Sequence, residues 1–210
     1  MNEKIRELFQ DEKLIKKIQD KLPKLFHQAE LESSRAGKIG MEVGSVREKI
    51  LVALLLYKFG EENVVTDIPI TEAEIDVIVH KTPISIKTIT GRGFGGVKLI
   101  WTVDAKKALY FLNNYKPSCD LIFVQINWAS EGAFYYIPLE VQQEIFRSFG
   151  KEKYIKLPIA GTNPRGAEMK AEAMLSLATH EKTFKIPINW SKEIVIFKPY
   201  NRWVELWQED

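Results

Sequence analysis

Two short β-branched runs, Ile75 to His80 and Ile84 to Thr90, constrain this chain more than any other feature. They are too brief for helices, and the Lys81-Thr82-Pro83 stretch between them has the composition of a turn. The pair therefore reads as one hairpin. A two-residue loop at Lys81-Thr82 sets His80 opposite Pro83. Counting outward then pairs Val79 with Ile84, Ile78 with Ser85, Val77 with Ile86, and Asp76 with Lys87. A carboxylate and an ammonium meet on one face of the sheet.

The surrounding pattern alternates helix and strand. Ile5, Leu8 and Phe9, then Leu14, Ile15 and Ile18, recur at helical spacing and predict two short amphipathic helices, broken at Leu22-Pro23. A loop of small residues from Ala36 to Gly44 precedes a helix from Ser45 to Phe59, closed by Gly60. The stretch Gly91-Arg92-Gly93-Phe94-Gly95-Gly96 leads into a strand from Val97 to Trp101, and a helix runs from Asp104 to about Tyr115. Cys119 to Trp128 is apolar enough for a central strand, Ala133 to Ile137 forms another, and helices cover Leu139 to Phe149 and Ala167 to Thr179. The expected class is α/β, a mixed central sheet flanked by helices. A single domain over 1–210 is expected: a helical segment at 1–34, a core at 45–137, and a C-terminal helical and recognition region at 138–210.

Composition narrows the class further. With 12 Gly, 9 Pro and 11% aromatic residues in 210, the chain can fill a core, which excludes collagen-like, mucin-like and disordered readings. The 30 Lys plus Arg against 28 Asp plus Glu leave +2, so no polycationic coat exists, although a local basic strip can still meet nucleic acid. The longest apolar run, Ile50 to Tyr57, is far short of the roughly 20 residues of a membrane span. No apolar stretch follows the charged start, so a cytoplasmic protein without membrane contact is expected. One cysteine, Cys119, excludes an internal disulfide and a multi-cysteine zinc site; His27, His80 and His180 lie far apart. Cys119 itself reads as a small buried hydrophobe, and His80 as structural.

Asp76 and Lys87 suit phosphodiester hydrolysis, which needs a hard cation held by carboxylate and carbonyl oxygen and a positive group beside the attacking water. An ordinary solvated ion pair explains the same two residues. Glu48 lies three and four residues before Leu51 and Val52, at the head of the stripe that continues through Leu55 and Phe59, so its carboxylate is aimed inward. Ser45-Val46-Arg47-Glu48 is also an S-x-x-E capping box, which accounts for a glutamate there without any chemistry.

A helix bearing Glu, a strand bearing Asp and a strand ending in x-x-Lys resemble the PD-(D/E)xK nuclease superfamily, here as Glu48, Ile75-Asp76 and Ser85-Ile86-Lys87. Ile75 replaces the usual Pro. Ser85 replaces the usual acid, which several members relocate to the preceding helix, where Glu48 stands. Steps of 28 residues from Glu48 to Asp76 and 11 from Asp76 to Lys87 are similar to those of the ThaI family of type II restriction endonucleases, as are the chain length and the Met-containing loop before the Glu helix. That resemblance implies cleavage of double-stranded DNA at CGCG between the central C and G, with blunt ends. It further implies Mg²⁺ held by Asp76, the Ile86 main-chain carbonyl and, directly or through water, Glu48. Lys87 would orient and help deprotonate the attacking water, and Ser85 would hydrogen-bond a metal-bound water.

A palindromic target implies a two-fold homodimer and, as genetic partner, a cognate DNA methyltransferase. Met41, flanked by glycines beside Lys38, suits an apolar wedge at a CG step, and folding back onto the core is its alternative. Arg92 is placed to reach guanine O6 and N7, or simply marks a flexible hairpin tip. Asn163 and Arg165 form a second candidate loop. Lys98, Lys106, Lys107 and Lys170 are candidate phosphate contacts. Trp190, Trp203 and Trp207 are expected in the core or a dimer interface. Two other functions fit the same residues: a structure-specific nuclease of junction-resolvase type, and a non-catalytic DNA-binding protein.

Overall fold

Asp120–Ile126 is buried along its whole length, as expected of a strand covered on both sheet faces. The computed structural model describes residues 3–35, 38–40, 42–69, 74–100, 102–157, 166–193, 198 and 200–209. Its elements begin with α1 (Glu3–Arg6), a 3-10 turn, α2 (Glu12–Glu32), β1 (Ser34–Arg35), β2 (Lys38–Ile39) and α3 (Val43–Phe59). Then follow β3 (Val64–Val65), β4 (Val77–Val79), β5 (Thr82–Thr90), β6 (Lys98–Ile100), α4 (Ala105–Asn114), β7 (Asp120–Ile126) and β8 (Ser130–Ile137). The chain continues through α5 (Leu139–Tyr154), β9 (Ile155–Lys156), β10 (Ala167–Met169), α6 (Ala171–Ala178), β11 (Phe184–Trp190) and α7 (Asn201–Gln208).

The main sheet has the order β11-β8-β7-β5-β4-β3. Only β5 and β7 run parallel; the other neighbours are antiparallel. On one face α2 and α3 bury Phe26, Leu51 and Leu55 against Ile84, Ile86, Ile122 and Trp190. On the other, α5, α6 and the small sheet β6-β10-β9 cover Leu121, Phe123 and Tyr135. Each large side chain so enclosed contributes roughly 1.5–3 kcal/mol, so β5 and β7 form a rigid floor for whatever stands at their ends. The mixed sheet flanked by helices is the expected class.

Four local expectations are corrected. α2 runs unbroken through Pro23, which removes one helical hydrogen bond. Burial of Leu14, Ile18, Leu22 and Phe26 along one stripe holds the two halves in line. Ala167–Met169 is strand rather than helix, because the backbones of β6 and β9 flank it and complete its hydrogen bonds. β11 was not anticipated: Ile186, Ile188 and Trp190 alternate inward, but Pro187 disguises the pattern, and an edge strand tolerates it.

The hairpin turns at His80-Lys81, with φ of 45° and 67°, not at Lys81-Thr82. Two positive φ values match the primed turns that suit strand twist, and the β-branched Thr82 would adopt one only with strain. Val77 consequently faces Ile84 rather than Ile86. A slip of two residues leaves every side chain on its expected face.

Candidate active site

β4 ends where Val77 meets Ile84, while β5 continues to Thr90. Past Ile84 the edge of β5 has no β4 partner, and Asp76 takes its place. Its Oδ2 accepts from the Ile86 N–H at 2.6 Å, from Ser85 Oγ at 3.2 Å and from Lys87 Nζ at 3.0 Å. Ser85 and Lys87 share a face because they are two apart. The N–H and C=O of one strand residue leave on the same side, so the Ile86 carbonyl opens onto this edge as well. Asp76 and Lys87 are only 18% and 21% exposed, which sets them apart from a solvated surface pair.

Glu48 reaches the same place from α3. The helix starts at Val43, two residues before Ser45, and its N-terminus has no side-chain cap. The capping box is therefore not formed, and Glu48 is not engaged at the helix end. Burial holds its carboxyl above the usual range, the nearby Asp76 charge adds to this, and Lys87 opposes it. Glu48, Ile86, Lys87 and Thr88 line one cleft with Gly44, Ser45 and the β6 residues Lys98 to Ile100, with a volume of about 390 Å³.

Two carboxylates and a carbonyl oxygen are a hard donor set. Among the described residues no group of three or more His, Cys, Asp or Glu side chains converges as a metal cage. A hard divalent cation takes oxygen donors of this kind, one or two carboxylates with waters completing its shell. Asp76, Glu48 and the Ile86 carbonyl fit such an ion.

A match to the family model of restriction endonuclease ThaI spans residues 8–209. The chain belongs to the ThaI restriction endonuclease family. As a member it is a site-specific nuclease. A solved structure described as a restriction endonuclease in complex with substrate DNA is 58% identical, covers 98% of this chain and 99% of its own, and superposes with a TM-score of 0.92. No curated protein gives a significant match.

The other described candidates of this ThaI-family chain lie on separate elements. Lys38 is exposed on β2. Arg92 is exposed in the loop after β5, its carbonyl held by Gln125 Nε2 at 3.0 Å. Lys98 lines the cleft but pairs with Glu168 at 2.5 Å. Lys106 and Lys107 are exposed at the start of α4, and Lys170 immediately precedes α6. Met41, Asn163 and Arg165 lie outside the described residues. Trp190 is buried against Phe26 and Trp128, whereas Trp203 and Trp207 are exposed on α7. Cys119 is buried, which pushes its thiol up to about 12. His80 meets Phe59 edge-on at 5.3 Å, a structural contact.

Two groups escaped the sequence reading. Arg47, beside Glu48, is buried and bonds Glu30 at 2.6 Å and Thr90 Oγ1 at 3.1 Å. Trp128 Nε1 and Lys192 also reach Glu30, each at 2.8 Å, so α2, α3 and the end of β5 are tied together. Nothing local in the sequence marks the partners, which lie 17 and 43 residues from Arg47. Glu74 is the second: Ser118 Oγ donates to its Oε2 at 2.6 Å, the Tyr115 hydroxyl also interacts with it, and burial raises its carboxyl. Its signal was its position two residues before Asp76.

Proposed function

We propose that this ThaI-family protein is a Mg²⁺-dependent type II restriction endonuclease that cuts both strands of DNA at CGCG, leaving blunt ends with 5′-phosphates. The observation that carries the reading is the meeting of Glu48, Asp76 and Lys87 at the uncovered edge of β5. The relative solved with substrate DNA supports DNA as the substrate. The choice of CGCG and of a blunt cut rests on likeness to the ThaI family.

Asp76, Glu48 and the Ile86 carbonyl would hold Mg²⁺, which supplies charge neutralisation at the scissile phosphate and a more acidic bound water. Asp76 is kept in place by the Ile86 N–H and Ser85 Oγ. Lys87 points its ammonium at the same carboxylate; its charge would orient the attacking water and stabilise the hydroxide formed as the water's proton passes to solvent. In-line attack at phosphorus breaks the bond to the 3′ oxygen, which leaves as the 3′-hydroxyl. Ser85 is uncharged and contributes a hydrogen bond only.

The DNA is held, in this reading, by Lys38, Arg92, Lys98, Asn163 and Arg165, with Met41 entering a CG step that unstacks easily. A two-fold target requires two active sites in opposite orientation, hence a homodimer. The α7 face of Trp203, Val204, Leu206 and Trp207, fully on the surface of the single chain, supports a second copy covering it. A DNA methyltransferase of the same specificity is the expected genetic partner.

Incubating the protein with unmethylated plasmid and Mg²⁺, with Asp76→Ala alongside, then sequencing the fragment ends, tests this. Blunt ends at CGCG, absent with Asp76→Ala, support the reading. Cutting only at branched DNA of any sequence, or tight binding without cutting, counts against it.

A further inference from the structure

Besides Asp76 and Glu48, Lys87 has a third carboxylate nearby, Glu74, which has no part in the reading above. Asp76 Oδ2 binds Lys87 at 3.0 Å together with the Ile86 N–H and Ser85 Oγ. A cation held by Asp76 would offset that carboxylate's charge and so weaken the pull that aims the ammonium. On its other side Lys87 borders an enclosed space shared with Glu74, Ser85, Tyr115, Ser118 and Cys119. Glu74 is fixed there by Ser118 Oγ at 2.6 Å and by Tyr115, and its main-chain carbonyl meets Cys119 Sγ at 3.8 Å.

We propose that Glu74 is a positioning residue for Lys87, a second counter-ion that keeps the ammonium in the site once Asp76 is committed to the cation. The inference rests on Lys87 acting on the attacking water. Geometry separates this role from metal binding. The space is about 20 Å³, enough for roughly one water and too small for a hydrated divalent ion. The Glu74 carboxylate accepts from the Ser118 hydroxyl and lines the small space that Lys87 also borders, not the 390 Å³ cleft that Glu48 lines. The charge absent at Ser85 is thus supplied twice: Glu48 provides it on the cation's side, and Glu74 on the ammonium's side.

Glu74→Gln keeps the shape and the Ser118 contact while removing the charge. Single-turnover cleavage of plasmid DNA should fall about 10- to 100-fold, the usual scale for a residue behind a catalytic group. The half-saturating Mg²⁺ concentration, the affinity for DNA without metal and the melting temperature should stay at wild-type values. Glu74→Asp, which retains the charge, should recover part of the rate. Wild-type cleavage by Glu74→Gln overturns the proposal. So does a rate loss matched by weaker DNA binding or lower melting, which is what a merely structural glutamate gives. A raised Mg²⁺ requirement would make Glu74 a metal ligand and likewise overturn it. Lys87→Ala is run in parallel: undiminished cleavage there removes the reading of Lys87 itself, a failure distinct from that of Glu74.

Discussion

Lys87 Nζ sits 3.0 Å from Asp76 Oδ2 although the ladder places Ser85, not Lys87, opposite Asp76. The lysine reaches diagonally along its face to a carboxylate that has outrun its own strand. On the proposed reading, Asp76 would serve both the cation and this ammonium, and Lys87 would act beside the attacking water. Lys87→Ala should therefore lower the single-turnover cleavage rate by about 10²- to 10⁴-fold, the range for a group that assists proton transfer. Binding of DNA without metal should persist. Asp76→Ala should lose cleavage at least as completely. Gel-shift and plasmid-cleavage assays on the same preparations check both, and cleavage by either variant at the wild-type rate would sink the assignment.

Glu48 carries a pH signature. Its carboxyl is held above the ordinary glutamate range by burial and then by Asp76, so its proton must leave before a cation can be ligated. The apparent Mg²⁺ affinity should weaken as pH falls through that raised value, at higher pH than an exposed glutamate would allow. Without metal the linkage has the opposite consequence for the fold. Glu48 is raised relative to the unfolded chain, so stability is greatest when it is protonated and declines as pH rises from the ordinary to the raised value. Glu48→Gln should thus weaken Mg²⁺ binding, flatten its pH dependence and leave the metal-free melting temperature at neutral pH unchanged or higher. A melting temperature lowered by Glu48→Gln would mean that the carboxylate is structural.

Much of this site is legible in the sequence because its parts lie on neighbouring elements. Asp76 and Lys87 sit on one hairpin, and a register error of two residues preserved their face. Glu48 was harder, since Ser45 three residues earlier explained it equally well; only the helix beginning at Val43 separates the readings. The partners of Arg47 and Glu74 were invisible, because contacts such as Glu74 with Ser118 join residues 44 apart. β10 shows the limit of propensity: Ala, Glu and Met favour helix, and two flanking strands overrule them.

The Arg47–Glu30 pair is buried on both sides, with 5% and 3% side-chain exposure. Removing one partner leaves a charge in a low-dielectric interior, at a cost of about 3–5 kcal/mol. Glu30→Ala should lower stability by that order in denaturant unfolding. Because Arg47 directly precedes Glu48, the folded fraction should also cleave more slowly. A loss of no more than about 1 kcal/mol, the value of a surface pair, would show that water reaches the site.

The surface of α7 bears on the proposed dimer. Trp203, Val204, Leu206 and Trp207 lie exposed on one short helix, Trp207 at 90%, and a cluster of this kind is unusual on a protein that stays alone. Two copies are what a two-fold DNA site demands, and large aromatic side chains are the residues that carry most of the energy of such contacts. Trp203→Ser with Trp207→Ser should shift the protein from dimer to monomer in sedimentation equilibrium while its melting transition stays cooperative. The separated chains should still each hold an intact Glu48, Asp76 and Lys87, so nicking of one strand should outlast double-strand cleavage as concentration is lowered. An unchanged dimer in the double variant would move the interface away from α7; a wild-type monomer that cuts both strands in one encounter would remove the need for it.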